Sequence, residues 1–253
     1  MQLLIIRHGQ SANNVAQENA QIGRGDGARV PDPALTELGR AQAEAVGAWV
    51  AAHGPRPQRI FSSLMRRTIE TAAPLAGHLE LPVEPHPRLF ESGGVFEGNY
   101  TDRVPGPGSS ASELAELAHR VALPDVVDES GWYRDEVESA QQVCQRALEI
   151  AAWLRELDED CVALVIHGAI GSVLLSALLN PEPVAALAAD PSADAHHLPT
   201  WFKLDNTSLT LLDLHGEDQV EVEWINRIDH LDDLEHEVSR TNHRFPPAFP
   251  PAG

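Results

Sequence analysis

Apolar and polar positions alternate along this chain in blocks whose lengths point to strands and helices in turn. Leu3 to Ile6 and Cys161 to Ile166 are unbroken apolar runs, and each stops at a His-Gly pair, Arg7-His8-Gly9 in the first case and His167-Gly168 in the second. Runs of that length without a polar face read as strands buried on both sides, the pattern of a parallel sheet. Arg59–Ser63 is a shorter strand candidate, and a further extended stretch lies around Val83. Between them the period changes. PALTELGRAQAEAVGAWVAAHG places Leu38, Ala41, Val46, Trp49 and Val50 near one helical face behind a Thr36 cap. MRRTIETAAPLAGHL reads as a second helix. Ser139 and Gln142 make a capping box for a third, which runs to about Leu157. A fourth covers Ile170 to Leu179. Ser208–Leu214 and Gln219–Ile225 are strands joined by His215-Gly216-Glu217-Asp218, hence a hairpin.

Three stretches break the alternation. Residues 15–33 carry three glycines and two prolines and read as a loop, and 181–200 reads as a loop or broken helix. Residues 99–138 hold a short helix near 112–123 among prolines and glycines and look like an insertion over one edge of the sheet. The expected organisation is one domain over 1–240 with this cap-like insertion, then a flexible proline-rich tail at 241–253.

Charge narrows the partners. The formal net charge is −20, so most of the surface repels nucleic acid and anionic membrane. An anionic substrate is welcome only in a locally basic pocket. No apolar run reaches membrane-spanning length and no leader pattern precedes the first strand, which points to a cytoplasmic protein. Cys144 and Cys161 are too few for a disulfide framework or a structural metal site and read as small buried hydrophobes.

The chemistry gathers at strand ends, where open α/β sheets bind ligands. The first strand ends in Arg7 and His8, with Gly9, Ser11 and Asn14 just beyond. The second leads into Arg66, the third into His167. Each has a bland reading taken alone: a surface ion pair, Arg66 pairing with Glu70 one turn on, a structural histidine. Three strand ends that carry basic groups to one side of a sheet make an anion pocket, most naturally for a phosphoryl group. Glu91, in the glycine-rich ESGGVFEG loop, is the candidate for proton transfer, and Glu97 is read as structural.

The ordered set RHGQSANN, LTELGRAQA at 35–43, SSLMRRTIETA, FESGGVFEG, VIHG and NTSLTLL at 206–212 resembles the histidine phosphatase superfamily, which includes the cofactor-dependent phosphoglycerate mutases. With the alternation above, the resemblance implies an α/β three-layer sandwich: a mostly parallel central sheet flanked by helices, plus the inserted cap segment. It implies that His8 attacks phosphorus to give a phosphohistidine. Arg7, Arg66 and His167 would hold the phosphoryl oxygens, with Gly9, Ser11 and Asn14 adding hydrogen bonds, and Glu91 would be the proton donor. No cofactor and no metal are called for. Gln10 departs from the glutamate of many members.

A mutase needs a second anion site, which the family's mutases build from arginines in the insertion. Here residues 99–138 hold nine acids against three arginines. Hydrolysis of a small phosphomonoester is therefore the expected activity. Arg24, Arg29, Arg103 and Arg134 are the residues that could still form a mutase clamp, and a non-catalytic phosphate-binding module is the third reading. Trp201-Phe202 and the hairpin could pack within the domain or support a homodimer.

Overall fold

A computed structural model describes residues 1–99, 102–133, 137–193, 197–216 and 219–232. The tail expected at 241–253 and Arg134 lie outside the described residues.

The strands β1 (Gln2–Arg7), β2 (Arg59–Ser62), β3 (Val83–Pro85), β6 (Cys161–Ile166), β7 (Leu209–His215) and β8 (Gln219–Arg227) form one sheet in the order β3-β2-β6-β1-β7-β8. The first four pair with one another in parallel, and β7 and β8 are antiparallel additions beside β1. Because β1, β2 and β6 run the same way in close register, with Arg7 beside Ile166 and Ser62 beside Val165, their carboxyl ends share one edge.

The unbroken apolar runs are explained by helices on both faces. Alternate residues of a strand point to opposite sides. Leu3, Ile5, Val162, Leu164 and Ile166 pack into one core with α5 (Ala140–Arg155), α6 (Gly168–Leu179) and α7 (Pro181–Ala188). Leu4, Ile6, Ala163 and Val165 pack into the other with α2 (Glu37–His53) and α3 (Arg66–Leu79). This is the expected three-layer α/β sandwich. Thr36 and Ser139 cap α2 and α5 through Gly39 N and Gln142 N, as their sequence positions require.

Two stretches differ from expectation. Residues 15–33 are not all loop, because α1 (Ala12–Gln21) occupies the first part. It is polar nearly throughout and buries only Asn13 and Asn14, so it gives no apolar period to detect. In 99–138, helix α4 covers only Ala111–Ala115, and β5 (Val104–Pro105) pairs with β4 (Phe96–Glu97). Leu114, Trp132 and Tyr133 from this stretch are buried in the second core. Both cysteines are buried and unpaired. Among the described residues no single helix is long and apolar enough to cross a membrane.

Candidate active site

The shared carboxyl edge of β1, β2 and β6 opens into a cleft of about 880 Å³, counted out to solvent. Arg7, His8, Ser11, Asn14, Arg67 and Glu91 line it, with Arg29, Phe96, Trp201, Phe202 and Lys203 among the other walls.

His8 is held by its own backbone first. Its N–H donates to Ile166 O at 2.9 Å, and its C=O accepts from Asn206 Nδ2 at 2.8 Å. Gly9 then turns the chain against α2. A Cβ at Gly9 would lie 2.5 Å from Gly39 O, and one at Gly39 would lie 2.0 Å from Gln10 O, so both positions require glycine on steric grounds. The His8 imidazole donates from Nδ1 to Gly9 O at 2.7 Å. That leaves Nε2 as the unprotonated nitrogen, which accepts from Arg67 Nε at 3.3 Å. Burial, then Arg67 and Arg7, hold the His8 pKa well below the ordinary histidine value. Its lone pair is therefore available at neutral pH.

Arg67 reaches a second imidazole. Its Nη2 donates to His167 Nδ1 at 3.0 Å, so His167 carries its proton on Nε2 and donates it to Ser63 Oγ at 2.8 Å. Ser63 is held in turn by Met65 N and the Thr68 hydroxyl. His167 is fully buried, 5.1 Å from the His8 ring between centroids, and burial followed by Arg67 keeps its pKa well below the ordinary value. Arg7 is fixed by donating Nη1 to Leu204 O. Burial pushes both Arg7 and Arg67 down to about 10, which leaves both cationic at pH 7.

Glu91 lies across the α6 N-terminus. Its carboxyl oxygens accept from Ile170 N at 3.0 Å and Ala169 N at 3.3 Å, and from Ser92 N at 2.8 Å. The loop that carries it is tied down by a buried ion pair. Arg146 binds Glu138 with two bonds of 2.7 and 2.6 Å, and its Nη1 donates to Arg88 O and Phe90 O on either side of the loop's start.

A sequence profile described as the histidine phosphatase superfamily, branch 1, matches residues 3–227. The chain belongs to this superfamily. A PE-PGRS family protein of Mycobacterium tuberculosis is 41% identical over 93 residues, which are 36% of this chain and 15% of that protein. The chain thus spans a small part of that relative's length. A glucosyl-3-phosphoglycerate phosphatase of Mycolicibacterium vanbaalenii is 29% identical over 187 residues, 70% of this chain and 74% of that enzyme. A solved structure of a mycobacterial glucosyl-3-phosphoglycerate phosphatase with VO3 has TM-score 0.55 and 25% identity, covering 89% of this chain and 98% of that one.

On this histidine phosphatase fold the expected residues Arg7, His8, Ser11, Asn14 and Glu91 all meet in the cleft. Gly9 lies behind it, its N–H on Thr71 Oγ1 at 3.0 Å, and His167 packs against Arg67 from below. Arg66 is a correction. It points away and pairs with Glu70 at 3.3 Å on the open face of α3, the bland alternative foreseen for it. Arg67, its neighbour, lines the cleft instead. The signal was helical phase: Arg67 sits one turn before buried Thr71, whose hydroxyl bonds Arg67 O at 2.6 Å, whereas Arg66 sits one turn before part-exposed Glu70. Ser63 and Asn206 were also missed. Both lie inside motifs noted for the family resemblance, but no periodicity marks a serine or asparagine as a positioning group.

Proposed function

We propose that the protein hydrolyses a phosphomonoester through a phosphohistidine on His8. The observation that carries this reading is the unprotonated Nε2 of His8, which meets Arg67 in a cleft that Arg7 also lines. Similarity to glucosyl-3-phosphoglycerate phosphatases supports it. No described residue of 99–138 lines the cleft, but of the arginines that could form a mutase clamp Arg29 does, with Lys203 beside it, so phosphoryl transfer to a second anionic substrate is the alternative reading, which the assay below separates from hydrolysis.

In the first step the Nε2 lone pair forms an N–P bond as the P–O bond to the alcohol breaks. The proton for the departing oxygen comes from the Glu91 carboxyl group. The Arg67 Nε–H that meets Nε2 transfers its hydrogen bond to a phosphoryl oxygen, and Arg7 offsets the charge on the other oxygens. Ser11 and Asn14 add hydrogen bonds. In the second step Glu91, now a carboxylate, takes a proton from water as its oxygen bonds to phosphorus and the N–P bond breaks. Orthophosphate leaves and His8 regains its lone pair.

Hydrolysis of p-nitrophenyl phosphate by wild type and His8→Ala, in EDTA, tests the reading. Activity that survives EDTA and disappears in the variant is expected, with an acid-labile, alkali-stable phosphoenzyme trapped from wild type. Activity persisting in His8→Ala would falsify the assignment.

A further inference from the structure

Asn206 holds the His8 carbonyl, and the turn that presents Asn206 is under strain. Thr207, the next residue, has φ 54°. That left-handed conformation suits glycine, and a β-branched residue stays in it only where its surroundings hold it there. Both residues are buried, and the Thr207 N–H also points at His8 O, at 3.4 Å. Relaxation of Thr207 would therefore move both of the donors that fix the carbonyl of His8.

The group that holds Thr207 comes from beyond β8. There a short 3-10 turn, Asp229–Leu231, brings in His230, which lies past residue 227, where the family match ends. His230 is buried, and its Nε2 lies 3.0 Å from Thr207 Oγ1. The Thr207 hydroxyl gives its hydrogen to Asn206 O at 2.8 Å, an atom that can only accept. The His230 nitrogen is therefore the donor of this pair. Burial pushes the His230 pKa down to about 4, so the ring is neutral at pH 7 and its one hydrogen sits on Nε2. The other end of the turn is tied as well. Asp205 N donates to Asn226 Oδ1 at 2.7 Å, and Asn226 Nδ2 donates to Asp205 Oδ2 at 2.9 Å.

Building on the phosphatase reading, we infer that His230 is a positioning residue for His8. The contacts run from His230 Nε2 to the Thr207 hydroxyl, from Thr207 to Asn206, and from Asn206 Nδ2 to His8 O. None of these three residues lines the cleft. Arg7 and Arg67, which offset the phosphate charge, are held elsewhere, Arg7 at Leu204 O and Arg67 on α3. Loss of the His230 bond shifts His8 Nε2 out of line with phosphorus and leaves the anion its arginines. The turnover step suffers and phosphate binding does not.

Steady-state hydrolysis of p-nitrophenyl phosphate, with inhibition by inorganic phosphate as the second readout, tests this. In His230→Leu, kcat should fall about tenfold or more while the phosphate inhibition constant stays within about twofold. His230→Gln, whose side-chain amide can donate to Thr207, should recover most of that loss. Thr207→Val deletes the accepting hydroxyl and should reproduce the fall, and His230→Leu added to it should cost no more than about twofold further. An unchanged kcat in His230→Leu overturns the inference and leaves the phosphatase reading intact. So does a fall in kcat matched by a fall in phosphate affinity and not rescued by glutamine, the mark of a residue needed only for the fold. If His230→Leu does not fold, Thr207→Val decides, and an unchanged kcat there overturns the inference. Wild type that hydrolyses no p-nitrophenyl phosphate overturns the phosphatase reading and this inference with it.

Discussion

Arg146 does not line the cleft, yet the geometry makes it the side chain whose loss should propagate furthest into the site. It and Glu138 are each 8% exposed, so little solvent screens their pairing. Its guanidinium stacks 3.8 Å from the centre of the Phe90 ring and satisfies the carbonyls of Arg88 and Phe90. Arg146→Met keeps most of the stem against Phe90 and removes the charge. Glu138 is then a buried carboxylate without its cation, at a cost of about 3–5 kcal/mol. For a chain of this size that corresponds to a melting temperature lower by roughly 6–20 °C. Because those two carbonyls flank the residues that lead to Glu91, kcat should fall about tenfold to a hundredfold. Removing both charges, Arg146→Met with Glu138→Leu, should recover at least half of the lost stability, since the penalty lies in the orphaned charge. Thermal melts and a double-mutant cycle measure this. A single-variant loss under about 1 kcal/mol, as for a solvent-exposed pair, or a double variant equal to the sum of the singles, refutes the reasoning.

Arg67→Ala should cost about a thousandfold or more in kcat/KM, as loss of a charge-stabilising arginine does. Arg66→Ala, which breaks only an i,i+4 pair, should cost about 0.5 kcal/mol of stability and little activity; the reverse ranking in steady-state kinetics refutes the placement of these residues. Glu91→Gln should release nitrophenol from p-nitrophenyl phosphate in a burst, because nitrophenolate leaves without a proton, and then turn over slowly for want of a base for water. Stopped-flow traces without a burst contradict the dual role. Asp32 bonds Arg66 N and the Ser109 hydroxyl, and burial pushes its carboxyl up to about 6. A folded acid with a raised pKa holds a proton that the unfolded chain has already lost above about pH 4, so its contribution to stability declines as pH rises to 6. Asp32→Asn, which does not titrate, should therefore gain on wild type by roughly 2 kcal/mol between pH 4 and pH 7 in denaturant melts, and parallel pH profiles would refute this.

The fold was legible where a physical constraint leaves a periodic trace. Strands buried on both faces must be apolar along their buried length, and β6 and the Leu3–Ile6 stretch of β1 are. Helices that cover a sheet must show one apolar stripe, and α2 and α5 do. Helix α1 escaped because it buries asparagines in place of an apolar stripe, and Asn13 does so by bonding the backbone of Val30 in both directions. The site was legible at strand ends, where topology alone brings Arg7, His8 and the His167 region together. It failed by one residue at Arg66 and Arg67. Two adjacent arginines at a helix start are chemically identical in a sequence, and only their phase relative to Thr71 and Glu70 separates them.

That one-residue difference matters because Arg67 sets the state of both histidines at once. One guanidinium donates to His8 Nε2 and to His167 Nδ1, and each bond requires an unprotonated nitrogen. The opposite nitrogens must then carry the hydrogens, and their acceptors, Gly9 O and Ser63 Oγ, are in place. A proton added to either buried ring would replace a hydrogen bond with a repulsion against Arg67. Burial and arginine charge therefore act in the same direction, and the positive charge facing an incoming phosphate resides on Arg7 and Arg67. In the proposed mechanism the nucleophile and the charge that attracts its target thus fall on different residues. On that reading His8 stays a neutral base beside two cationic arginines, in a pocket suited to a phosphate dianion on a chain of net charge −20.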